Sequence, residues 1–539
     1  LIYFDADFEG PYPEDPPVTI EDLARLYPQA STKAKADEAR NERSQAAVAE
    51  LQAGRPGYRA LLRHFIDVSV AALKQDYAFL DVSFDLWKGE SDVDHLIAGL
   101  VEDFKAKGLA REDDGAWIVD VATAGENVPV EKKGKTTLKN AMPPIMLVNS
   151  RGGTGYHTTD LATIADRLAS LDPTPERMIY VVDQRQALHF EQVFRAADRA
   201  GMIARDRLEH IGFGTVNGTD GKPFKTREGG TLRLADLFKL TLGSVKEKLL
   251  SKDRETRKIV VQEGLVESVN RNFRDVSSLP KVKLCQLFVR LMMTVRKTYH
   301  SDRFLVSLEN ENLKKVLDAS LEQDDVEAAH IFYAYIYPKK KYKVIEKAIL
   351  LLISIRLDGV PLESSNEIRE SLFREMIDYI ENQYCAPIAR AALRFADLQN
   401  TRTTNYVFDL DRFTSFEGKT GPYLLYAAVR IKSLLRRASD EGLKSGRIII
   451  ESDAERALVL ALDGFGAAVL AARDKRMPHI LCEHVYGLAQ AFSAFYGAHP
   501  IAAEAVAKTR ASRLALSAAV LKQLETGLDL LGIAVPDRM

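Results

Sequence analysis

The sequence is poor in cysteine and tryptophan, and its charge is nearly balanced. The cysteines, Cys285, Cys385 and Cys482, are only three among 539 residues and lie far apart. They offer neither an even number for a disulfide framework nor the CxxC spacing of a zinc site, so a reducing compartment is the natural setting. The net charge of −2 excludes a polybasic protein, although local basic patches can still bind nucleic acid.

Long hydrophobic runs and a starting methionine are also missing. The longest apolar run, Ala348–Ile355, is far shorter than the ~20 residues of a membrane-spanning helix. No signal peptide is visible at the front. We therefore expect a cytoplasmic protein with no membrane partner. Because the chain begins at Leu1 without a methionine, we also expect that it is processed or lacks its beginning.

The middle of the chain alternates short apolar runs with helical patterns. The runs are Ile145–Val148, Met178–Val182 and a third that begins near Ile211, with a helix predicted after each of the first two. This order indicates parallel βαβ units and therefore an α/β fold. Ligands bind at the carboxyl ends of such strands, where Asn149 and Asp183 lie.

The rest of the chain is predicted to be helical and changes composition once. Five alanines occur from Ser244 to Cys385, whereas 28 follow from Ala386 to the end. We interpret the alanine-poor stretch as an all-α insert and the remainder as an all-α bundle. Aromatic and basic residues interleave over Tyr333–Lys343 in the insert. That pattern could bind single-stranded nucleic acid, but an amphipathic helix ending in a solvated basic turn is the more ordinary alternative.

A loop rich in glycine, hydroxyl groups and cations follows the third predicted strand. It occupies residues 212–230 and contains Lys222, Lys225 and Arg227. Glycines let backbone N–H groups approach the oxygens of a polyphosphate, and the cations offset the charge of its leaving group. A solvated basic hairpin turn is the alternative, because an Asp-Gly turn signal precedes the cations.

A second candidate site lies at the predicted start of a helix. Tyr156 and Asp160 are four positions apart and could line one wall of a pocket. A carboxylate beside an aromatic ring suits a guanidinium or ammonium ligand, although Asp160 could simply cap the helix. Gln186 and His189 follow the strand Met178–Val182 and could either meet a ligand or cap a helix.

Ten segments of the chain occur in an order that is characteristic of one enzyme family. The segments are Phe84–Ser91, Leu147–Asp160, Tyr180–Phe190, His210–Gly214, Asp220–Gly230, Ala392–Leu398, Tyr406–Arg412, Ser415–Tyr423, Arg476–His479 and Leu531–Met539. In these segments the sequence resembles the arginyl-tRNA synthetases of class I. An ordered series of this kind is highly specific, so we expect membership of that family.

The resemblance implies ATP-dependent attachment of L-arginine to tRNA(Arg) through an arginyl-adenylate. It places three side chains at the arginine site: Tyr156, Asp160 and Gln186. It places four positions at ATP: His210, Gly212, Gly214 and Lys222. It assigns the catalytic KMSKS-type loop, here called the signature loop, to Lys222, Lys225, Thr226 and Arg227, with Thr226 where the second lysine usually lies.

The resemblance also implies a Rossmann-type catalytic domain followed by a DALR-type anticodon-binding bundle. With the insert, the expected domains are residues 1–245, 246–386 and 387–539. ATP is a substrate accompanied by Mg²⁺, no tightly bound metal is expected, and a monomer is expected. The candidate RNA-facing cations are Arg430, Lys432, Arg436 and Arg437, with a solvated basic face as the alternative. Phosphate contacts would make the tRNA affinity fall steeply with salt.

The chain departs from the family pattern in two respects. A HIGH-type motif is absent, because the segment that begins at His210 lacks a second histidine and lies on a later strand. We therefore expect an incomplete catalytic domain, truncated at its N-terminus. The alanine-poor insert is the other departure. The alternative to an arginine–tRNA ligase is a catalytically inactive fragment that retains tRNA or protein binding.

Overall fold

The part of the chain that the structure describes divides into two compact units. The computed structural model describes residues 18–52, 54–126, 128–132, 135–139, 142–150, 152–218, 234–251 and 381–539. The signature loop and the stretch Tyr333–Lys343 lie outside these ranges. The first unit contains the described residues up to Tyr180, Arg185–His210 and residues 234–236, and the second contains the others.

The first unit combines helices with short strands. Its helices are α1 (Ile20–Ala36), α2 (Glu38–Gln52), α3 (Pro56–Phe79), α4 (Asp94–Ala106), α5 (Tyr156–Ser170) and α6 (Ala187–Arg199). Its strands are β1 (Ala110–Asp113), β2 (Ala116–Val119), β3 (Val128–Lys132), β4 (Lys135–Lys139) and β5 (Ile145–Val148). Strands β6 (Met178–Asp183) and β7 (Leu208–Phe213) start in this unit, and their last residues belong to the second unit.

Local sequence signals fix the helix ends at the front of this unit. The backbone N–H of Asp22 donates to Thr19 Oγ1, and the Asp22 carboxylate accepts from the N–H of Thr19, both at 3.2 Å. This capping box satisfies donors that the first turn of α1 leaves unpaired. Further on, Gly54 at φ +91° separates α2 from α3, and Pro56 starts α3, where its fixed φ suits the first helical turn.

Strand β5 has a different partner from the one predicted. It pairs antiparallel with β2, which forms a hairpin with β1, in the order β1-β2-β5. Asp114 and Gly115 both have positive φ at the hairpin turn, which gives the twist that joins adjacent strands. The parallel pairing predicted for Ile145–Val148 is therefore wrong for the described residues, because a nearby hairpin supplies the neighbouring edge.

The predicted alternation of strands and helices is confirmed from β5 to β7. Helix α5 follows β5, α6 follows β6, and β6 pairs with β7 in a sheet of two strands. Leu161, Ile164, Val193 and Phe194 are completely buried on α5 and α6. Burial of such side chains contributes roughly 1.5–3 kcal/mol each, so the two helices are held by their apolar faces.

The second unit is mainly a helical bundle. Its helices are α7 (Leu234–Ser251), α8 (Ala386–Leu398), α9 (Leu410–Phe413), α10 (Gly421–Asp440), α11 (Asp453–Asp463), α12 (Phe465–Lys475), α13 (His479–Ala498) and α14 (Ala507–Leu530). Helix α7 belongs to this unit from Leu237 onward, and a π-helical turn at Glu381–Cys385 precedes α8. Two short strands, β8 (Val216–Asn217) and β9 (Tyr406–Val407), pair in parallel. The expected bundle is thus confirmed.

Apolar residues at helical spacing form a stripe on α10 that lies in the core of this bundle. Leu424, Leu425, Ala428 and Ile431 are completely buried, and α10 packs against α8, α13 and α14. At the start of α10, a Cβ on Gly421 would overlap the backbone carbonyl of Ala391 in α8. Only glycine therefore allows α8 and α10 to approach this closely.

An ion pair network is buried between α11 and α14. The Arg513 guanidinium donates to Glu455 at 2.9 Å and to Glu504 at 2.7 Å. Burial raises the pKa of the Glu455 carboxyl, but the N–H groups of Glu451 and Ser452 and the Arg513 guanidinium outweigh it, so this pKa lies below its ordinary value. The carboxylate therefore stays charged and caps α11 while it neutralises a buried arginine.

Two observations bear on the expected domain limits and on membranes. Helix α7 continues across residue 245, and α8 begins one residue before position 387. Both expected boundaries thus fall within described helices. None of the helices in the described ranges is both long enough and apolar enough to cross a membrane.

Replacing Gly421 by alanine should destabilise the bundle, because the new Cβ would overlap the Ala391 carbonyl. We expect a loss of about 3 kcal/mol in the free energy of unfolding, measured by urea denaturation. Gly487 in α13 is the matched control, since a Cβ there would meet nothing within 4 Å. Gly487→Ala should raise the stability by up to about 1 kcal/mol. Equal effects of the two substitutions would contradict the close approach.

Candidate active site and RNA-binding face

A tight turn connects β5 to α5. The N–H of Asn149 donates to the Gly153 carbonyl at 2.8 Å, and Asn149 Oδ1 accepts from the Gly153 N–H at 3.0 Å. Gly152 has φ +84°, which a side chain would disfavour. Asn149 thus follows the end of a strand as predicted, and its side chain shapes the turn that leads into the candidate site.

Helix α5 carries the predicted Tyr156 and Asp160 on its first two turns. Thr158 Oγ1 donates to the Leu147 carbonyl at 2.6 Å in a buried contact, which ties the helix start to β5. Tyr156 is 70% exposed, so its ring is free to cover a ligand. The helix begins at Tyr156 with Gly155 at the N-cap, so Asp160 lies inside the helix and is not its cap.

A histidine from α6 holds the Asp160 carboxylate. His189 Nε2 lies 2.6 Å from Asp160 Oδ2, and the Asp160 side chain is 29% exposed. A carboxylate in this setting is held in one orientation and still reaches solvent. It can therefore pair with a cationic ligand, which is one of the two alternatives that the sequence pattern left open.

A second histidine lies against the first. The rings of His157 and His189 are 4.6 Å apart with an angle of 37° between their planes. Burial lowers the pKa of His157, and the charge that His189 can carry lowers it further; Gln192 and Asp160 act in the opposite direction. His157 is thus kept neutral more readily than an exposed histidine.

Gln186 and His210 complete the predicted residues of the first unit. Gln186 is exposed at the N-cap position of α6 and makes no side-chain capping bond, so capping does not explain it. It precedes His189 by one helical turn. His210, on β7, stacks on Phe190 with ring centroids 5.0 Å apart and planes 19° apart. The fold therefore brings Asp160 and His189 together and fixes the His210 ring on a buried aromatic side chain.

Gly212 and Gly214 lie in the second unit, and a close backbone contact requires glycine at position 214. A Cβ on Gly214 would lie 2.5 Å from the Thr404 carbonyl oxygen, whereas one on Gly212 would overlap the end of the exposed Gln184 side chain. The N–H of Gly214 donates to the Arg402 carbonyl at 2.9 Å. Packing thus accounts for Gly214 by itself.

The segment that contacts Gly214 is anchored at several points. The Arg402 guanidinium donates to the Gly212 carbonyl and, at 2.9 Å, to the Arg476 carbonyl. Asn405 Oδ1 accepts from the Thr215 N–H at 2.8 Å, next to the pairing of β8 with β9. The strand end that precedes the signature loop is therefore held by the connection between α8 and α9.

The predicted cations of α10 have different surroundings. Lys432 is only 18% exposed and pairs with Glu525 at 3.0 Å and with Asp537 at 3.2 Å. Burial lowers the pKa of this ammonium, but the two carboxylates outweigh it and hold the pKa above its ordinary value. Lys432 therefore anchors the C-terminal residues, and its prediction as an RNA-facing cation is wrong for this structure.

Two other cations of α10 lie near a groove. Arg430 is exposed and its guanidinium lies 4.0 Å from the centre of the Tyr496 ring. Arg437 is also exposed and, with Tyr496 and His499, lines an open groove of about 410 Å³. Cations beside an aromatic ring suit phosphates and bases together. Arg436, also exposed, donates to Ser433 Oγ at 3.2 Å.

The predicted signature loop has no described counterpart. Lys222, Lys225, Thr226 and Arg227 lie outside the described residues. Groups of three or more His, Cys, Asp or Glu side chains that could hold a metal ion are absent from the described part of the chain.

Two family models match the chain in the predicted order. Residues 6–273 match the model described as tRNA synthetases class I (R), catalytic domain, and residues 424–539 match the DALR anticodon binding domain. An arginine–tRNA ligase of Hyphomonas neptunium is 55% identical over all of this chain and 69% of its own length. The chain belongs to the arginyl-tRNA synthetase family. The arginine–tRNA ligase of Maricaulis maris, at 46% identity over the same shares, agrees.

Solved synthetases share the fold. The arginyl-tRNA synthetase of Thermus thermophilus has a TM-score of 0.56 at 19% identity, covering 94% of this chain and 69% of its own. That of Plasmodium falciparum has a TM-score of 0.53 at 18% identity, covering 93% of this chain and 62% of its own. A class I catalytic domain and a helical anticodon-binding domain are thus the fold of this synthetase.

Residues that the sequence pattern did not single out also shape the synthetase. His157 lies within the quoted Tyr156–Asp160 segment, but nothing in its spacing showed that it would stack on His189. Arg402 lies between two segments of the resemblance, so no motif drew attention to it. Tyr496 is one aromatic residue among many in a helix. Each becomes visible only through its contact with a distant part of the chain.

The stability of this synthetase should fall as the pH drops through the histidine range. Burial lowers the pKa of His157 in the folded protein. The stabilisation from the neutral His157 imidazole is therefore complete above its unfolded-state pKa of about 6.5, and it is lost as the pH falls towards the lower folded-state pKa. The free energy of urea unfolding at several pH values measures this. His157→Gln should flatten the profile, whereas His95→Gln, at an exposed position of α4, should not. A His157→Gln profile as steep as the wild type would contradict the assignment.

Proposed function

We propose that this chain is an arginine–tRNA ligase that activates L-arginine with ATP and transfers it to tRNA(Arg). The observation that carries this proposal is the Asp160 carboxylate, held 2.6 Å from His189 and accessible beside an exposed Tyr156, in a member of the arginyl-tRNA synthetase family. The close relatives of the chain bear the name arginine–tRNA ligase, which supports the same activity.

Arginine is recognised through its guanidinium group. Asp160 offers two carboxylate oxygens, which match the parallel N–H donors of a guanidinium. Tyr156 offers an exposed ring for a cation–π contact, and Gln186 offers an exposed amide one turn before His189. A lysine substrate has a point charge with a shorter reach, so the planar pair favours arginine.

Activation joins the arginine carboxylate to the α-phosphate of ATP and releases pyrophosphate. The role of the chain is to position both substrates and to offset the charge of the leaving group. Lys222, Lys225 and Arg227 supply that positive charge, and Thr226 supplies a hydroxyl group in the same loop. Mg²⁺ enters with ATP. A ribose hydroxyl of the tRNA then attacks the arginyl-adenylate and releases AMP.

The adenosine part of ATP lies beside His210, Gly212 and Gly214 in this proposal. Each position is held within its own unit: His210 stacks on Phe190 in the first, and Arg402 bonds to the carbonyl of Gly212 in the second.

The bundle binds tRNA(Arg) through its exposed cations. Arg430 and Arg437 contact phosphates, and Tyr496 stacks on a base. The match of residues 424–539 with the DALR anticodon binding domain supports this role. Lys432 is excluded from it by its ion pairs with Glu525 and Asp537.

The remaining parts of the proposal concern organisation. Residues 1–245 form the catalytic domain, 246–386 a helical insertion and 387–539 the anticodon-binding bundle. The alanine-poor composition of the middle stretch supports the insertion. The ligase is a cytoplasmic monomer, which sedimentation of the purified chain tests.

Substituting Asp160 should abolish the use of arginine. Asp160→Asn keeps the shape of the side chain but removes the charge that pairs with the guanidinium. We expect arginine-dependent ATP–pyrophosphate exchange, measured with tRNA(Arg) present, to fall at least about a hundredfold. Asp103→Asn is the control, because Asp103 forms an exposed pair with Lys107 in the same unit, and it should keep full exchange.

The exchange assay also separates the ligase from its alternative. Unchanged arginine kinetics in Asp160→Asn would refute the pocket. A wild-type chain that binds tRNA(Arg) but shows no arginine-dependent exchange would contradict the ligase and favour a binding protein without catalysis.

Exposed and paired cations of α10 should differ in their effect on tRNA binding. Replacing Arg437 by glutamine should weaken tRNA(Arg) binding and reduce the slope of log affinity against log salt by roughly one, because one phosphate contact is lost. Lys432→Gln should leave that slope unchanged and lower the melting temperature, since it breaks ion pairs inside the bundle. Filter binding at several salt concentrations measures the first effect. The reverse pattern would contradict the assignment.

A further inference from the structure

The contact between His189 and Asp160 joins two helices of the first unit. His189 lies in the first turn of α6 and Asp160 in the second turn of α5, and their side-chain atoms Nε2 and Oδ2 are 2.6 Å apart. The two side chains are 18% and 29% exposed, respectively. The contact is therefore sheltered, but the carboxylate is not closed off from a ligand.

This contact determines how the carboxylate can meet a guanidinium. His189 takes one lone pair of Oδ2, so the carboxylate cannot rotate freely, and Oδ1 is left for a ligand together with the second lone pair of Oδ2. A guanidinium needs both oxygens in one plane at a fixed angle. An Asp160 side chain without this bond would have to be ordered when arginine binds, at a cost in affinity.

The charge of the imidazole has an opposite effect. A neutral His189 donates its proton to Oδ2 and leaves the full negative charge on the carboxylate for arginine. A protonated His189 offsets that charge and repels a guanidinium, because its positive charge lies within hydrogen-bond distance of the same oxygens. The same side chain can therefore support or oppose binding, depending on its protonation.

Two further side chains lie around this contact. His157 on α5 lies 4.6 Å from the His189 ring, and burial lowers the pKa of His157. Tyr180 on β6 is buried, and the Arg167 guanidinium of α5 lies 5.0 Å from its ring.

Two other titratable groups near this contact have partners of their own. On α6, Glu191 is engaged by Arg195 and Arg205. On β7, His210 is stacked on Phe190, whose ring also lies 5.3 Å from that of His189. Asp160 is thus the anion in hydrogen-bonded contact with His189, and it is the residue through which the protonation of His189 acts.

We propose that His189 is a positioning residue for amino-acid recognition, which orients the Asp160 carboxylate when neutral and competes with the guanidinium when protonated. The proposal rests on the proposed function, since it takes arginine as the ligand of Asp160. His189 does not contact the substrate in this account. It acts through Asp160, and it makes arginine binding sensitive to pH.

Calorimetric titration of L-arginine into the full chain tests this proposal. Variants His189→Gln and His189→Leu are compared with the wild type at about pH 8 and about pH 6, the range in which imidazoles change charge. Gln places an amide donor near the position of Nε2 but cannot become charged. Leu removes the donor. His95→Gln, at an exposed position, serves as the control, and a melting curve checks that each variant is folded.

We expect the wild type to bind arginine several-fold more weakly at the lower pH, and His189→Gln to bind equally at both. At the higher pH, His189→Gln should stay within about threefold of the wild type, whereas His189→Leu should bind at least about tenfold more weakly. The control should follow the wild type at both pH values. The rescue by glutamine separates positioning from a general loss of packing.

Three outcomes would overturn the proposal. Wild-type affinity for arginine in His189→Leu would show that the bond to Asp160 is not needed. A His189→Gln variant with the same pH dependence as the wild type would show that His189 is not the titrating group, and this comparison holds even if His189→Leu does not fold. No arginine binding by the wild type would overturn the arginine site itself. That last result distinguishes a failure of the proposed function from a failure of His189 alone.

Discussion

The close approach of backbone segments in the second unit is the constraint on which its other features depend. The backbone at Gly214 lies so close to the Thr404 carbonyl that a Cβ would come within 2.5 Å of its oxygen. A Cβ on Gly421 would likewise overlap the Ala391 carbonyl. These contacts hold the strand end after β7 against the connection from α8 to α9, and α8 against α10. Arg402, which lies in that connection, donates to the carbonyl groups of Gly212 and Arg476. The backbone before the signature loop is thereby fixed by residues of the bundle.

In the first unit, several contacts are arranged around one charged group, the Asp160 carboxylate. Thr158 ties the start of α5 to β5, and this places Asp160 opposite the first turn of α6. His189 then bonds to the carboxylate and His157 lies against the His189 ring, while the side chain of Tyr156 is exposed. A half-exposed carboxylate that is bonded on one oxygen has little freedom left to lose when a cation binds, which favours selective binding.

Sequence patterns predicted the elements better than their partners. The apolar runs from Ile145 to Val148 and from Met178 to Val182 are strands, and the stripe of α10 is buried, because burial follows periodicity. The partner of β5 was predicted wrongly, since a hairpin close in the chain provided an antiparallel edge. Lys432 was predicted as a candidate RNA-facing cation, but it pairs with Glu525 and Asp537. Pairing between distant residues leaves no periodic signal.

Order and identity of the motifs were sufficient to assign the chain to its family, because residue types that bind arginine, ATP and tRNA must recur at particular places in the chain. The sequence also determined where helices begin, through Thr19, Pro56 and Thr420. Tertiary structure alone decided that His189 meets Asp160, that packing demands glycine at position 214, and that Arg430 rather than Lys432 lies beside Tyr496. The physical reason is that each of these contacts joins side chains whose distance depends on how separate elements pack, which no local pattern encodes.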